Sequence, residues 1–160
     1  MKQPDPAEFR RAVSRFTTGV TLISTRDQDD RVVGMTANSF ASVSLAPPTV
    51  LVSVTPGRTL KAIEASGRFA INVLPASSAA LSDHFAGRRV PGLVPKFEEV
   101  GGSPKLVGAL AYFDCIVDRA LVVADHTVLI GAVRDCRHVD ADPLVFFRSQ
   151  YRQLGMGQVA

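Results

Sequence analysis

Two long strand-like runs, about Ala111 to Val123 and His126 to Val139, are joined at the three letters Ala124-Asp125-His126. Both are rich in β-branched and apolar residues and neither shows a helical period. So tight a connection returns the second run antiparallel to the first, because parallel neighbours need a crossover of about a dozen residues or more. The rest of the fold has to accommodate this pair.

The remaining text supplies shorter partners. "VTLIST" (Val20 to Thr25) is strand-like, "RDQDD" turns, and "RVVGMTANSF" reads as the return strand. "TVLVSV" after Pro47-Pro48, "RFAINVL" and "PLVFFRS" add further strands. Helices enter singly. Asp5-Pro6-Ala7-Glu8 reads as a capped start, with Phe9, Ala12, Val13 and Phe16 on one face and Gly19 as terminator. A second helix is expected from Thr59 to about Ser66, and a third over "SSAALSDHFA". Gly87 to Lys105, rich in Gly, Pro and charge, reads as an irregular excursion. Strand and helix do not alternate as a doubly wound fold requires. The chain reads as mainly β: an antiparallel barrel with peripheral helices, one domain over residues 1–160.

Composition narrows the function. Hydrophobic residues at 46% and charged residues at 21% suit an ordinary globular domain. The net charge of +3 is mild, and Arg10-Arg11 and Arg88-Arg89 are the adjacent arginine pairs. No basic, aromatic stripe suggests a nucleic-acid partner. No apolar run is long enough to span a membrane, and "MKQPDPAEF" lacks a signal-type apolar stretch, so a cytoplasmic protein is expected. Cys115 and Cys136 read as reduced, buried thiols, and His84, His126 and His138 are too scattered for a metal site, so none is expected. No Gly-x-Gly-x-x-Gly follows a strand, and Gly155-x-Gly157 stands near the C-terminus; phosphate-loop and Gly-x-Ser-x-Gly signatures are missing too.

Four places could carry chemistry. Thr36, Asn38, Ser39, Ser42 and Ser44 crowd one bend, either as turn residues bonding their own backbone or as interior groups matched to a polar-edged ligand. Pro56-Gly57 precedes a helix start flanked by Arg58 and Lys61, which suits ordinary capping or an anion. His126 stands at the tight turn beside Asp125. "PLVFFRSQYR" sets aromatic residues beside Arg148 and Arg152, as a closing strand or as a wall over a planar ligand. Spacing alone gives a barrel able to bind an anionic planar molecule and does not name it.

Together, "FRRAVSRFTTGVTLIST", "GMTANSFASVSLAPPTVLVSV", "AIEASGRFAINVL", "LAYFDCIVD", "DHTVLIGAV" and "PLVFFRSQYR" resemble, in order, the flavin reductase family of FMN-binding split barrels. These small enzymes supply reduced flavin to two-component monooxygenases. The resemblance covers most of residues 9 to 152 and implies a split β-barrel and an NAD(P)H:flavin oxidoreductase. It implies FMN or FAD as flavin, NADH or NADPH as hydride donor, a homodimer, and a flavin-dependent monooxygenase as partner. It sets the flavin loop on Thr36, Ala37, Asn38, Ser39 and Phe40, with Ser42, Val43 and Ser44 beyond. Pro56, Gly57, Arg58, Thr59 and Lys61 fall at the flavin's phosphate end, and Phe85 and Ala86 match a flavin-contacting pair. His126 takes the catalytic Gly-Asp-His position, and Phe146, Phe147, Arg148 and Ser149 match the nicotinamide-side strand. One position departs: Ala124 stands where the family carries glycine. The alternative is a carrier on the same barrel that retains its FMN.

Overall fold

The structure, a computed structural model, describes residues 3–154; the outermost residues of the expected domain, Gly155-x-Gly157 among them, lie outside that range. Helix α1 (Pro6–Val13) starts as its capping signal predicts, the Asp5 carboxylate accepting the Glu8 amide at 3.2 Å. It stops at Val13, well short of Gly19, which instead lies in the two-residue strand β1 (Thr18–Gly19). Its apolar face is not a core face: Phe9 and Val13 are 61% and 53% exposed.

Strands β2 (Thr21–Arg26) and β3 (Val32–Ala37) form the expected hairpin. A strand that the sequence reads as part of a bend follows, β4 (Ala41–Leu45), then β5 (Pro48–Val54). Next come α2 (Arg58–Ser66), β6 (Arg68–Val73), a 3-10 turn at Ala76–Ser78 and α3 (Ala79–Phe85). The segment expected to be irregular contains a hairpin, β7 (Phe97–Val100) and β8 (Ser103–Leu106). The two long strands are β9 (Ala111–Val123) and β10 (His126–His138), within one residue of their expected ends. The single closing strand is a tight hairpin, β11 (Val145–Phe147) and β12 (Gln150–Arg152).

Seven strands form one antiparallel sheet in the order β3-β2-β6-β9-β10-β5-β4. It curls until its ends meet: the Ser39 hydroxyl, just after β3, donates to the Ser53 carbonyl at 3.0 Å and accepts the Ser53 amide at 2.9 Å on β5. Alternation divides the core in two. Ile23 joins Val52, Val54, Phe69, Ile71 and Leu129 inside the barrel, whereas its neighbour Leu22 joins Val20, Leu74, Leu106 and Leu144 beneath the outer sheet β1-β11-β12. The long β9–β10 hairpin bends at two register shifts, one between Ile130 and Gly131. A Cβ at Gly131 would stand 2.7 Å from the Phe69 ring, so this close approach requires glycine.

Candidate functional site

The crowded bend separates into jobs. Thr36 Oγ1 donates to the Ser82 carbonyl at 2.7 Å and ties β3 to α3. The Ser39 hydroxyl closes the barrel, and Ser44 Oγ accepts the Ala46 amide at 3.2 Å in a local turn. Three hydroxyls are therefore engaged by the protein's own backbone, but only Ser44 within its own turn, as the turn reading expects; Thr36 and Ser39 bond distant elements. The connection Asn38–Phe40 lies between β3 and β4, and among the described residues none of its amides donates to a backbone carbonyl. Asn38 is exposed. These amides and the Asn38 side chain, rather than the hydroxyls, are what the bend offers a ligand. Ser42, Val43 and Ser44 lie beyond it on edge strand β4, which is mostly exposed.

Two cavities share the wall Thr36-Ala37-Asn38. One, of about 220 Å³, reaches Met35, Ser39, Ser53, Thr55 and His126. The other, of about 200 Å³, reaches Val20, Ser82, Ala86, Arg88, Phe146 and Tyr151. Strand β3 thus brings together residues from four distant stretches of sequence. His126 Nδ1 lies 2.8 Å from Asp125 Oδ1, which orients the ring and leaves Nε2 available. That hydrogen bond holds the Asp125 carboxyl below the usual carboxylate range.

Helix α2 begins at Gly57 without a side-chain cap, so its first amides remain available to an anion. Pro56, Gly57 and Arg58 are exposed, and Thr59 is buried. Arg58 reaches Asp27 at 3.3 Å. Lys61 lines, together with Arg58, a groove that also holds Asp27 and Arg31. Phe85 packs edge-to-face on Phe97, centroids 6.4 Å apart, while Ala86 faces the smaller cavity.

The closing hairpin divides its residues too. Phe146 packs against Tyr151 and lines the smaller cavity. Arg148 and Ser149 form the turn, at φ 52° and 61°, both left-handed without glycine. The Arg148 amide donates to the Ser14 carbonyl at 2.8 Å, and its guanidinium lies 6.0 Å from the Phe147 ring centroid. Arg148 and Ser149 line a separate groove of about 570 Å³ with Arg10, Arg11 and Arg15 of the N-terminal segment.

The match to known proteins follows this geometry. The family described as a flavin reductase like domain matches residues 13–155. The chain belongs to this family. The NADH-dependent flavin reductase StyB of Pseudomonas fluorescens is 39% identical over 151 residues, covering 92% of this chain and 89% of that protein. The flavin-dependent monooxygenase reductase subunit HsaB of Mycobacterium tuberculosis is 41% identical over 156 residues, covering 93% and 82%. Among solved structures, flavin reductase PheA2 in its native state superposes with a TM-score of 0.91 at 42% identity, covering 96% of this chain and all of the other. The fold is accordingly the antiparallel split barrel of flavin reductases.

Ala124, where the resemblance leads one to expect glycine, adopts φ 52°, so the turn holds a left-handed residue at a cost of roughly 1–2 kcal/mol. The substitution strains the turn without opening it. Some lining residues escaped the sequence reading. Tyr151 Oη lies 2.8 Å from both Ser82 Oγ and Asp83 Oδ1, and Arg88 pairs with Asp83. The Arg88 and Tyr151 hydrogen bonds hold the Asp83 carboxyl low, whereas burial pushes the Tyr151 hydroxyl up. The tyrosine of "FFRSQYR" and the arginine after "SDHFAG" were visible as letters; only the α3–β12 contact makes them neighbours.

Proposed function

We propose that the protein reduces flavin with NADH and releases the product to a separate flavin-dependent monooxygenase. The carrier alternative loses to this reading, because the relatives are named as reductases and reductase subunits. The observation that carries it is the pair of cavities on one β3 wall, with His126 opening on one and Phe146 on the other. When bound, the flavin supplies the electron-accepting ring and NADH the electrons. The donor chemistry of the bend fits such a ring: Asn38 and the amides of residues 38–40 would supply donors to a pyrimidine edge. Held in place beforehand, those dipoles stabilise the negative charge that reduction places there. The uncapped start of α2, with Arg58 and Thr59, holds the phosphate end.

His126, oriented by Asp125, binds the nicotinamide carboxamide and sets the approach of the two rings. Positioning is its whole contribution, and no protein nucleophile or base is needed. Arg148 meets the dinucleotide phosphates from the arginine-lined groove. Replacing His126 with alanine is expected to raise the NADH KM or slow flavin reduction about tenfold while flavin affinity holds. Stopped-flow reduction and steady-state kinetics measure both, and wild-type values in both would remove His126 from the site.

The protein works as a cytoplasmic homodimer. Both cysteines are free, which suits a reducing compartment; Cys115 is buried as expected, whereas Cys136 is exposed because it lies on the outer end of β10. Among the described residues no helix is long and apolar enough to cross a membrane. The hairpin tip beside His126 exposes Leu121, Val122 and Val123, the second at 82%, and a second copy would cover this apolar tip. Sedimentation is expected to give a dimer that Val122→Asp shifts toward monomer; a fully active wild-type monomer would contradict this.

A further inference from the structure

The arginine proposed to hold the flavin's phosphate end already has a carboxylate. Arg58 Nη2 lies 3.3 Å from Oδ2 of Asp27, a residue of the turn that joins β2 to β3. That turn fixes the carboxylate in place: Asp27 Oδ1 accepts the amides of Asp29 at 3.1 Å and Arg31 at 3.0 Å. The backbone around it is closed as well. The Asp27 amide donates to the Arg31 carbonyl and the Asp30 amide to the Asp27 carbonyl, both at 3.0 Å. Only 17% of the Asp27 side chain is exposed, against 70% for Arg58. Asp27 is the fixed member of the pair, and the long arginine is the one free to turn.

Arg58 borders two hollows. One, of about 380 Å³, is lined by Asp27, Arg31 and Lys61 as well. The other, of about 880 Å³, is lined by Thr59 and by Val33 and Gly34 of β3, and none of its lining residues is acidic. An anion at the start of α2 therefore meets Asp27 as its one rival for Arg58, because the arginine's only carboxylate partner among the described residues is Asp27. An exposed ion pair is weakly held, whereas a phosphate offers a charge-assisted bond and takes the uncapped amides of α2 besides. The exchange strands no charge. Arg31 Nε lies 3.4 Å from Asp27 Oδ2, so the carboxylate keeps a cation when Arg58 leaves. Binding must take the arginine from Asp27, and release gives it back.

We propose that Asp27 is an internal competitor for Arg58, bonding the arginine in place of the flavin phosphate and weakening the hold on that phosphate. The inference rests on the proposed phosphate end at Arg58. Such a competitor suits an enzyme whose product has to leave for another protein. Calorimetry with the full chain and oxidised FMN and riboflavin tests it without turnover, since only FMN carries the phosphate. D27N removes the charge and keeps Oδ1 as acceptor for the turn; D27S is a second variant with a shorter acceptor. Both are expected to bind FMN about three- to tenfold more tightly than the wild type, with riboflavin unchanged within about twofold. Stopped-flow displacement should show FMN release slowed by a similar factor. R58A is expected to lose about tenfold for FMN alone, and the double variant D27N/R58A to show none of the D27N gain. If D27N and D27S bind FMN no more tightly while R58A still loses it, the competition alone is overturned, as it is by a gain that survives in D27N/R58A. An R58A protein that binds FMN as the wild type does, or a wild type that binds neither flavin, would overturn the underlying flavin site and this inference with it.

Discussion

Replacing Arg68 with alanine is expected to lower stability by about 3–5 kcal/mol, a large share of what a domain of this size possesses. Arg68 Nη2 lies 2.9 Å from Asp114 Oδ2, and the Asp114 side chain is only 1% exposed. The other carboxylate oxygen has no hydrogen-bond partner among the described residues. Removing the arginine thus strands a buried charge in the first third of β9, the costly way to break an ion pair. Arg68 also donates to the Gly101 carbonyl at the β7–β8 turn, so that hairpin should loosen first. Urea unfolding measures the loss, and hydrogen exchange over residues 97–106 locates it. The double variant R68M/D114L is expected to recover most of the stability, because no charge is then left unpaired. An R68A protein as stable as the wild type would show that water reaches Asp114.

The same hairpin shows where sequence reading stops. Strands β9 and β10 were legible because their β-branched runs carry their own signal, and α1 was legible at its start because Asp5, Pro6 and Glu8 are local. Strands β7 and β8 were not, because distant partners hold them: Arg26 on Glu99, Arg68 on Gly101, and Tyr112 on the Val100 carbonyl. Strand β4 was missed because an edge strand with exposed Ser42 and Val43 has the composition of a loop. Helix α1 ends early because tertiary pairing draws Thr18 and Gly19 onto Phe146 and Val145. In the site, the resemblance pointed to the bend, and Thr36, Ala37 and Asn38 of that bend line two cavities. It could not say which polar groups the scaffold had already engaged, nor that Arg148 and Ser149 open on a separate groove.

Substituting Ser39 with alanine is expected to weaken flavin binding by about tenfold or more. Strand β4 pairs with β5 only as far as Ala41 opposite Leu51, so the edge of β5 at Ser53 has lost its neighbour. The Ser39 hydroxyl fills that place, accepting the Ser53 amide and donating to its carbonyl. Alanine leaves both backbone groups without a protein partner, a penalty on the order of 2 kcal/mol. The segment Asn38–Phe40 then loses its anchor while still having to be ordered in the complex. If the whole penalty falls on the bound state, affinity drops by roughly thirtyfold. Threonine, which restores the hydroxyl, should rescue most of the loss. Ser42→Ala, on the exposed strand beyond the bend, should stay within about 0.5 kcal/mol of the wild type in stability. Calorimetric titration with flavin alongside urea unfolding separates a loosened bend from a weakened barrel. Wild-type flavin affinity in Ser39→Ala would mean that this clip serves the barrel alone.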